Sequence, residues 1–205
     1  MIDLVNIIYA WRKEEEEKHR RTEDTWWVTD LVRCPLKREF ELRYPELVKH
    51  QVFTPFFILG DLAHEGVHSV LSRLGSVEFE VEAEKTVILP DGREARVRGR
   101  ADAIYYGEEG EKVVIEVKTA RSDAGIPHQH HIDQVRAYLW LHEANEGLLL
   151  YITPDRVTQF AVNDPMTTDE VVERMTSKDY PRYPWECQYC PYSVLCPHKL
   201  TKLSK

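Results

Sequence analysis

"KVVIEVKT", Lys112 to Thr119, reads as a β-strand: β-branched apolar residues first, then alternation. Strand side chains alternate between faces, so Val114, Glu116 and Lys118 share one face and Val113, Ile115 and Val117 the other. An otherwise apolar strand thus carries a carboxylate and an ammonium side by side. The preceding strand, "EARVRGRADAIYY", ends one short "GEEGE" turn earlier and carries Asp102 near its end. If the two strands pair through that turn, Asp102 and Glu116 approach each other. Buried carboxylates repel unless a cation sits between them, and Mg²⁺ and Mn²⁺ are hard cations suited to such oxygens. With a lysine placed to hold water or stabilise phosphate charge, these are the parts for metal-assisted phosphodiester hydrolysis. Taken alone, the motif also reads as a Glu116/Lys118 ion pair on a half-exposed strand.

Outward from this pair the chain alternates helices and strands. An amphipathic N-terminal helix ends in a charged run, and "VTDLVRCPLKREFELRYP" follows, with Thr29 or Asp30 able to cap a helix. Ile58 to Leu74 has helical periodicity, with Leu59, Leu62, Ala63, Val67, Val70, Leu71 and Leu74 as the expected buried stripe and Gly75 as the stop. "VEFEVEAEKTVIL" alternates strictly and lines Glu78, Glu80, Glu82 and Glu84 on a solvent face. Asp91-Gly92 marks a hairpin. A helix is expected from about His131 to Asn145, ended by Gly147, then the strands "LLLYIT" and "VTQFAV", and a helix near Thr168 to Ser177. This order predicts an α/β fold, a mixed sheet flanked by helices.

The chain has 205 residues, a formal net charge of -8 and 30% charged residues. The acidic balance argues against broad non-specific coating of nucleic acid. It leaves room for a carboxylate site whose cations meet phosphate. No apolar run reaches membrane-spanning length. The N-terminus has no basic leader or small-residue cleavage site, so a reducing cytoplasm is expected. There, clustered cysteines suggest metal or redox chemistry before disulfides. Cys187, Cys190 and Cys196 form C-x₂-C-x₅-C, and Cys34 lies far upstream. From spacing, zinc and an iron–sulfur cluster are equally good occupants of such a quartet.

His64 to His68, "HEGVH", has the zincin pattern of two imidazoles one helical turn apart around a glutamate. A metalloprotease reading needs a third ligand downstream, and the strand that follows offers none. The expected stripe leaves His64 flanking the core and turns His68 toward solvent.

Three stretches together resemble the RecB-like branch of the PD-(D/E)xK nuclease superfamily: "GRADAI" (Gly99 to Ile104), "IEVKT", and "QVRAYL" (Gln134 to Leu139). Gln134 and Tyr138 are four apart and share a helix face, with His131 on it too. Gly60 to His64 fits the branch's G-x-x-x-H context. Cys34-Pro35-Leu36-Lys37 and the closing Cys196-Pro197 narrow the resemblance to the CRISPR-associated RecB-like iron–sulfur exonucleases, over about Thr29 to Cys196. The resemblance implies a restriction-endonuclease-like core over 58–167. It also implies an N-terminal helical region (1–57) giving one cluster cysteine and a C-terminal helix and cysteine-rich segment (168–205).

The implied cofactors are a [4Fe–4S] cluster, or [2Fe–2S] in some members, on Cys34, Cys187, Cys190 and Cys196. One or two Mn²⁺ or Mg²⁺ ions would sit on His64, Asp102, Glu116 and the Val117 carbonyl. Lys118 would orient water, Gln134 would position the site, and Tyr138 would contact nucleic acid or the lysine. The substrate would be single-stranded DNA, cut 5′→3′ during CRISPR adaptation beside the CRISPR integrase proteins, with a homo-oligomer among the implied assemblies. Arg100, Arg121 and Tyr138 could line a groove. Trp26 and Trp27 read as core packing before stacking platform, and Arg93, Arg96 and Arg98 as partners of the glutamate ladder or of a DNA backbone. A RecB-like repair nuclease is an alternative, although the helicases that carry such domains have a P-loop and this chain has none. A non-catalytic metal-cluster module on the same fold is another.

Overall fold

The computed structural model describes residues 2–17 and 22–201. Residues 18–21 of the N-terminal charged run lie outside it. Six strands form one mixed sheet: β1 (Thr25–Trp27), β2 (Val77–Ile88), β3 (Glu94–Tyr106), β4 (Lys112–Thr119), β5 (Glu146–Ile152) and β6 (Val157–Val162). The helices are α1 (Leu4–Glu17), α2 (Val28–Leu31), α3 (Pro35–Arg43), α4 (Pro55–Leu71), α5 (Gln129–His142), α6 (Thr168–Thr176) and α7 (Glu186–Tyr189). Among the described residues no helix is long and apolar enough to cross a membrane.

β3 organises the sheet. Antiparallel β2 runs along one of its edges, while the other edge is shared: parallel β1 pairs with Arg96 to Arg98, and antiparallel β4 with Ala103 to Tyr106. Between those two partners, from Gly99 to Asp102, that edge is open. β4 leaves β3 after Ile115 and continues beside parallel β5 to Thr119. The sheet therefore forks at Asp102 and Glu116. Across the fork, Glu80 takes φ 51 and drops out of the β2 ladder, between the pairs Phe79–Ala103 and Val81–Ala101. A left-handed residue inside a strand adds local twist. The odd-numbered side chains of β3 change layer at this point: Val97 and Ala101 pack with α2 and α5, but Ala103 packs on the α4 side.

Two apolar layers result. The larger one joins Val28 and Leu31 of α2, Val135 and Leu139 of α5 and Val171 of α6 to Val97, Val114, Leu149 and Tyr151 of the sheet. The smaller joins Val67 and Leu71 of α4 to Ile115, Val117 and Leu150. Gly99 and Gly147 let α5 come close. A Cβ on Gly99 would sit 2.7 Å from Tyr138 Cε1, and one on Gly147 would sit 2.5 Å from Val135 Cγ1.

Several expectations change. The N-terminal stretch is not all helical, because Thr25–Trp27 adds a strand to the core sheet. Asp30 caps α2 from within, its Oδ2 accepting from Trp27 N at 2.9 Å. Gly147 lies inside β5 and does not end α5. That helix stops at Glu143, which takes the left-handed conformation at φ 55. The stripe expected over Ile58 to Leu74 is also misplaced in part, since Leu59 (63% exposed), Leu62 and Val70 of α4 and Leu74 just beyond it face outward. The sheet instead receives the face carrying Gly60, His64, Val67, His68 and Leu71. Small Gly60 permits this approach, its Cβ position lying 3.5 Å from Thr119 Oγ1. The glutamate ladder is a paired surface: Arg96 meets Glu84, Arg98 meets Glu82, and Arg100 meets Glu80 at 2.7 Å.

Candidate active site

The fork supplies the site. Where β4 leaves β3, the Val117 N–H has no ladder partner on that side, and the Asp102 side chain takes its place: Val117 N donates to Asp102 Oδ2 at 2.7 Å. A carboxylate is thereby fixed at the junction of the two layers. From the α4 side, His64 Nδ1 approaches Asp102 Oδ1 at 3.3 Å. From the α5 side, Lys118 Nζ donates to Glu116 Oε1 at 2.5 Å, and Gln134 Nε2 donates to the same oxygen at 2.7 Å. The structure thus brings His64, Asp102, Glu116, Lys118 and Gln134 together.

The electrostatics follow from burial. Glu116 is 2% exposed. Burial first, then the Asp102 charge, push its carboxyl up to about 7, with Lys118 acting against them. Burial also opposes ionisation of Asp102, but the hydrogen bond and charge of His64 override it and hold this carboxyl below its usual range. His64 is raised despite burial, because Asp102 favours its cation. Burial works against the Lys118 charge, yet Glu116 and Asp102 raise its pKa. Each carboxylate therefore has a basic neighbour, His64 beside Asp102 and Lys118 beside Glu116.

The donor set fits a hard divalent ion. Glu116 Oε2 is buried and has no hydrogen-bond partner among the described residues. A buried carboxylate oxygen without a partner, in a side chain that feels the charge of a second carboxylate, is what such a cation would satisfy. Among the described residues, no three His, Cys, Asp or Glu groups are gathered at metal-ligand spacing. His64 and Lys118 lie instead against the two carboxylates.

Tyr138 departs from its expected place in a groove. It is 5% exposed and packs against Gly99, one turn beyond Gln134. Burial and the Glu116 and Asp102 charges raise its pKa well above normal, so it is a neutral wall of the site. Arg121 lies over the Phe56 ring at 5.2 Å, and Arg100 is engaged by Glu80. Trp27 is buried, and Trp26 lies under the Arg38 guanidinium at 4.2 Å. Both tryptophans are packing residues.

His68 does not point to solvent. Its ring lies 4.6 Å from that of Phe79, with Nε2 buried and unbonded. Glu65 is exposed, and His64 is turned onto Asp102. The zincin pattern therefore arises from two histidines on a sheet-facing helix, with no third ligand at ligating distance among the described residues.

One neighbour had only its helix face as a sequence signal. His131 Nδ1 lies 2.6 Å from the Tyr151 hydroxyl, which also accepts from His128 N at 3.0 Å. Burial, and then the Lys118 charge, push the His131 pKa far down, so its ring is neutral. Tyr151, in an apolar run, gave no sign of this role.

The four cysteines are free thiols lining one cavity of about 230 Å³, which also reaches His130, His131 and Gln134. Burial, then Glu186, push the Cys34 thiol up to about 11. Burial raises Cys190 too, with Cys196 and Cys187 adding to it. The four thiols line one cavity, although among the described residues no three of them are gathered at metal-ligand spacing.

Residues 7–197 match the model of the PD-(D/E)XK nuclease superfamily. The chain is 44% identical to the "CRISPR-associated exonuclease Cas4" of Saccharolobus solfataricus, over 97% of this chain and 100% of that protein. The crystal structure of SSO0001 matches the fold with a TM-score of 0.91 at 42% identity, covering 97% of this chain and 98% of that one.

Proposed function

The chain belongs to the PD-(D/E)XK nuclease superfamily and to the family of the CRISPR-associated exonuclease Cas4, and we propose that it trims single-stranded DNA from the 5′ end, using Mn²⁺ or Mg²⁺, before CRISPR integration. The single observation that carries this reading is the fork. Asp102, Glu116, Lys118 and His64 meet where two strands part, and Glu116 Oε2 is left without a partner.

His64, Asp102, Glu116 and the Val117 carbonyl would hold the divalent ion. When bound, such an ion lowers the pKa of a water and shields phosphate charge. The chain's residues do the rest. Lys118 stays protonated between two carboxylates and can orient the attacking water or meet a phosphate oxygen. Gln134 holds Glu116 in one rotamer, and Tyr138 excludes solvent behind it. His64, which lies against Asp102, would have to turn its ring nitrogen from that carboxylate to serve as a ligand.

The four cysteines would hold the [4Fe–4S] or [2Fe–2S] group and so join the α3 region to the tail. A brown protein with visible absorption supports iron. A colourless protein carrying one zinc rejects it.

The experiment is digestion of single-stranded DNA labelled at either end, with Mn²⁺ or Mg²⁺, by wild type and Asp102→Ala. The expected result is wild-type shortening from the 5′ end and a loss of roughly a thousandfold in the variant. Equal cleavage by both proteins would overturn the site, and release from the 3′ label first would overturn the polarity.

A further inference from the structure

Asp133 is a buried carboxylate, 4% exposed, with no part in the chemistry above. Its Oδ1 accepts from Gln129 Nε2 at 3.0 Å. Its Oδ2 accepts from Arg174 Nη2 at 3.0 Å and from the Tyr183 hydroxyl at 2.7 Å. The last two partners belong to the C-terminal segment. Tyr183 N in turn donates to Glu186 Oε2 at 2.8 Å, and Glu186 Oε1 accepts from Cys34 N at 2.6 Å. Glu186 directly precedes Cys187, so one carboxylate staples the two cysteine-bearing segments together.

The other end of this chain of bonds is the reaction site. Asp133 and Gln134 are consecutive on α5, about 100° apart around the helix axis. One faces the C-terminal segment while the other reaches Glu116 Oε1. A helix is stiff over one turn, so the bond network at Asp133 fixes the height and rotation at which Gln134 meets Glu116. Glu116 Oε1 is shared between Gln134 and Lys118. A displaced Gln134 would leave that oxygen to the lysine alone and would change the aim of the orphaned Oε2.

We propose that Asp133 is a positioning residue: with Tyr183 and Glu186, it makes the seating of the cysteine segments govern the placement of Gln134 on Glu116. The claim deepens the nuclease reading and rests on it for its kinetic test.

Tyr183→Phe removes one hydroxyl and keeps the ring beside Trp185 and His130. Glu186→Gln weakens the staple at the far end. Each is made alone and in the Gln134→Ala background, and kcat and KM are measured for Mn²⁺-dependent cleavage of labelled single-stranded DNA. Each single variant is expected to lower kcat about 5–20-fold with KM within about twofold, and to lower it no further once Gln134 is alanine. Wild-type kcat in both variants, or effects that multiply with Gln134→Ala, would overturn the relay. Should wild type leave the DNA intact, the nuclease reading fails, and hydrogen exchange without metal or substrate decides the relay. Glu186→Gln is expected to speed amide exchange at Val135 to Tyr138, and unchanged exchange there would sink it.

Discussion

His64 Nδ1 and Asp102 Oδ1 stand 3.3 Å apart, although one comes from a helix on one face of the sheet and the other from the strand where that sheet forks. Four residues further along the same helix, His68 packs on Phe79, and its buried Nε2 has no hydrogen-bond partner among the described residues. The two histidines of "HEGVH" should therefore separate cleanly. His64→Ala is expected to lower the cleavage rate about a hundredfold or more, and His68→Ala to leave it within about threefold while costing about 1 kcal/mol of stability. Rate assays with parallel denaturant melts check this, and a silent His64 with an essential His68 reverses the assignment.

Glu116 carries a cost when ionised. Its folded pKa, about 7, lies above the unfolded value. The folded state therefore binds more protons between the two values, and stability from this group is present at low pH and lost as pH rises through about 7. At about pH 8 in EDTA, Glu116→Gln, which mimics the protonated form, is expected to be more stable than wild type by on the order of 1–3 kcal/mol, yet inactive. Thermal melts at about pH 5 and pH 8 check the sign, because the gain should shrink at the lower pH.

Divalent ions must compete with these protons. His64 is raised and Glu116 sits near 7, so Mn²⁺ binding should release protons and weaken steeply below about pH 7. In calorimetry the apparent enthalpy should change with the ionisation enthalpy of the buffer. In melts, Mn²⁺ at about a hundred times Kd should add about 2.7 kcal/mol to wild type and almost nothing to Asp102→Ala. Equal stabilisation of both proteins would place the ion elsewhere.

Gly99 owes its place to a crowded crossing. A Cβ there would meet Tyr138 at 2.7 Å, Val28 Cγ2 at 2.8 Å and Leu141 Cδ2 at 2.9 Å. Gly99→Ala should cost about 1–3 kcal/mol and lower activity by moving the helix that carries Gln134. Gly66→Ala, where nothing lies within 4 Å of the added atom, is the control. It should be neutral or slightly stabilising, since alanine is the better helix former.

The sequence by itself determined five of the six strands, missing Thr25–Trp27, together with the turn between Tyr106 and Lys112 and the approach of Asp102 to Glu116 and Lys118. Those features are local: a period of two, turn residues, and motifs only a few residues long. It also determined that Gln134 and Tyr138 share a helix face, which needs only 3.6 residues per turn. Tertiary structure alone decided which side of α4 meets the sheet. Leu59, Leu62 and Val70 are more apolar than the Gly60–His64–His68 face, yet they face outward, and Gly60 is the residue that comes up against Thr119. It also decided that Tyr138 is walled in behind Gly99, and that Asp133 joins α5 to a tyrosine 50 residues away. Such contacts join distant parts of the chain through shape and burial, and no periodicity along the chain records them.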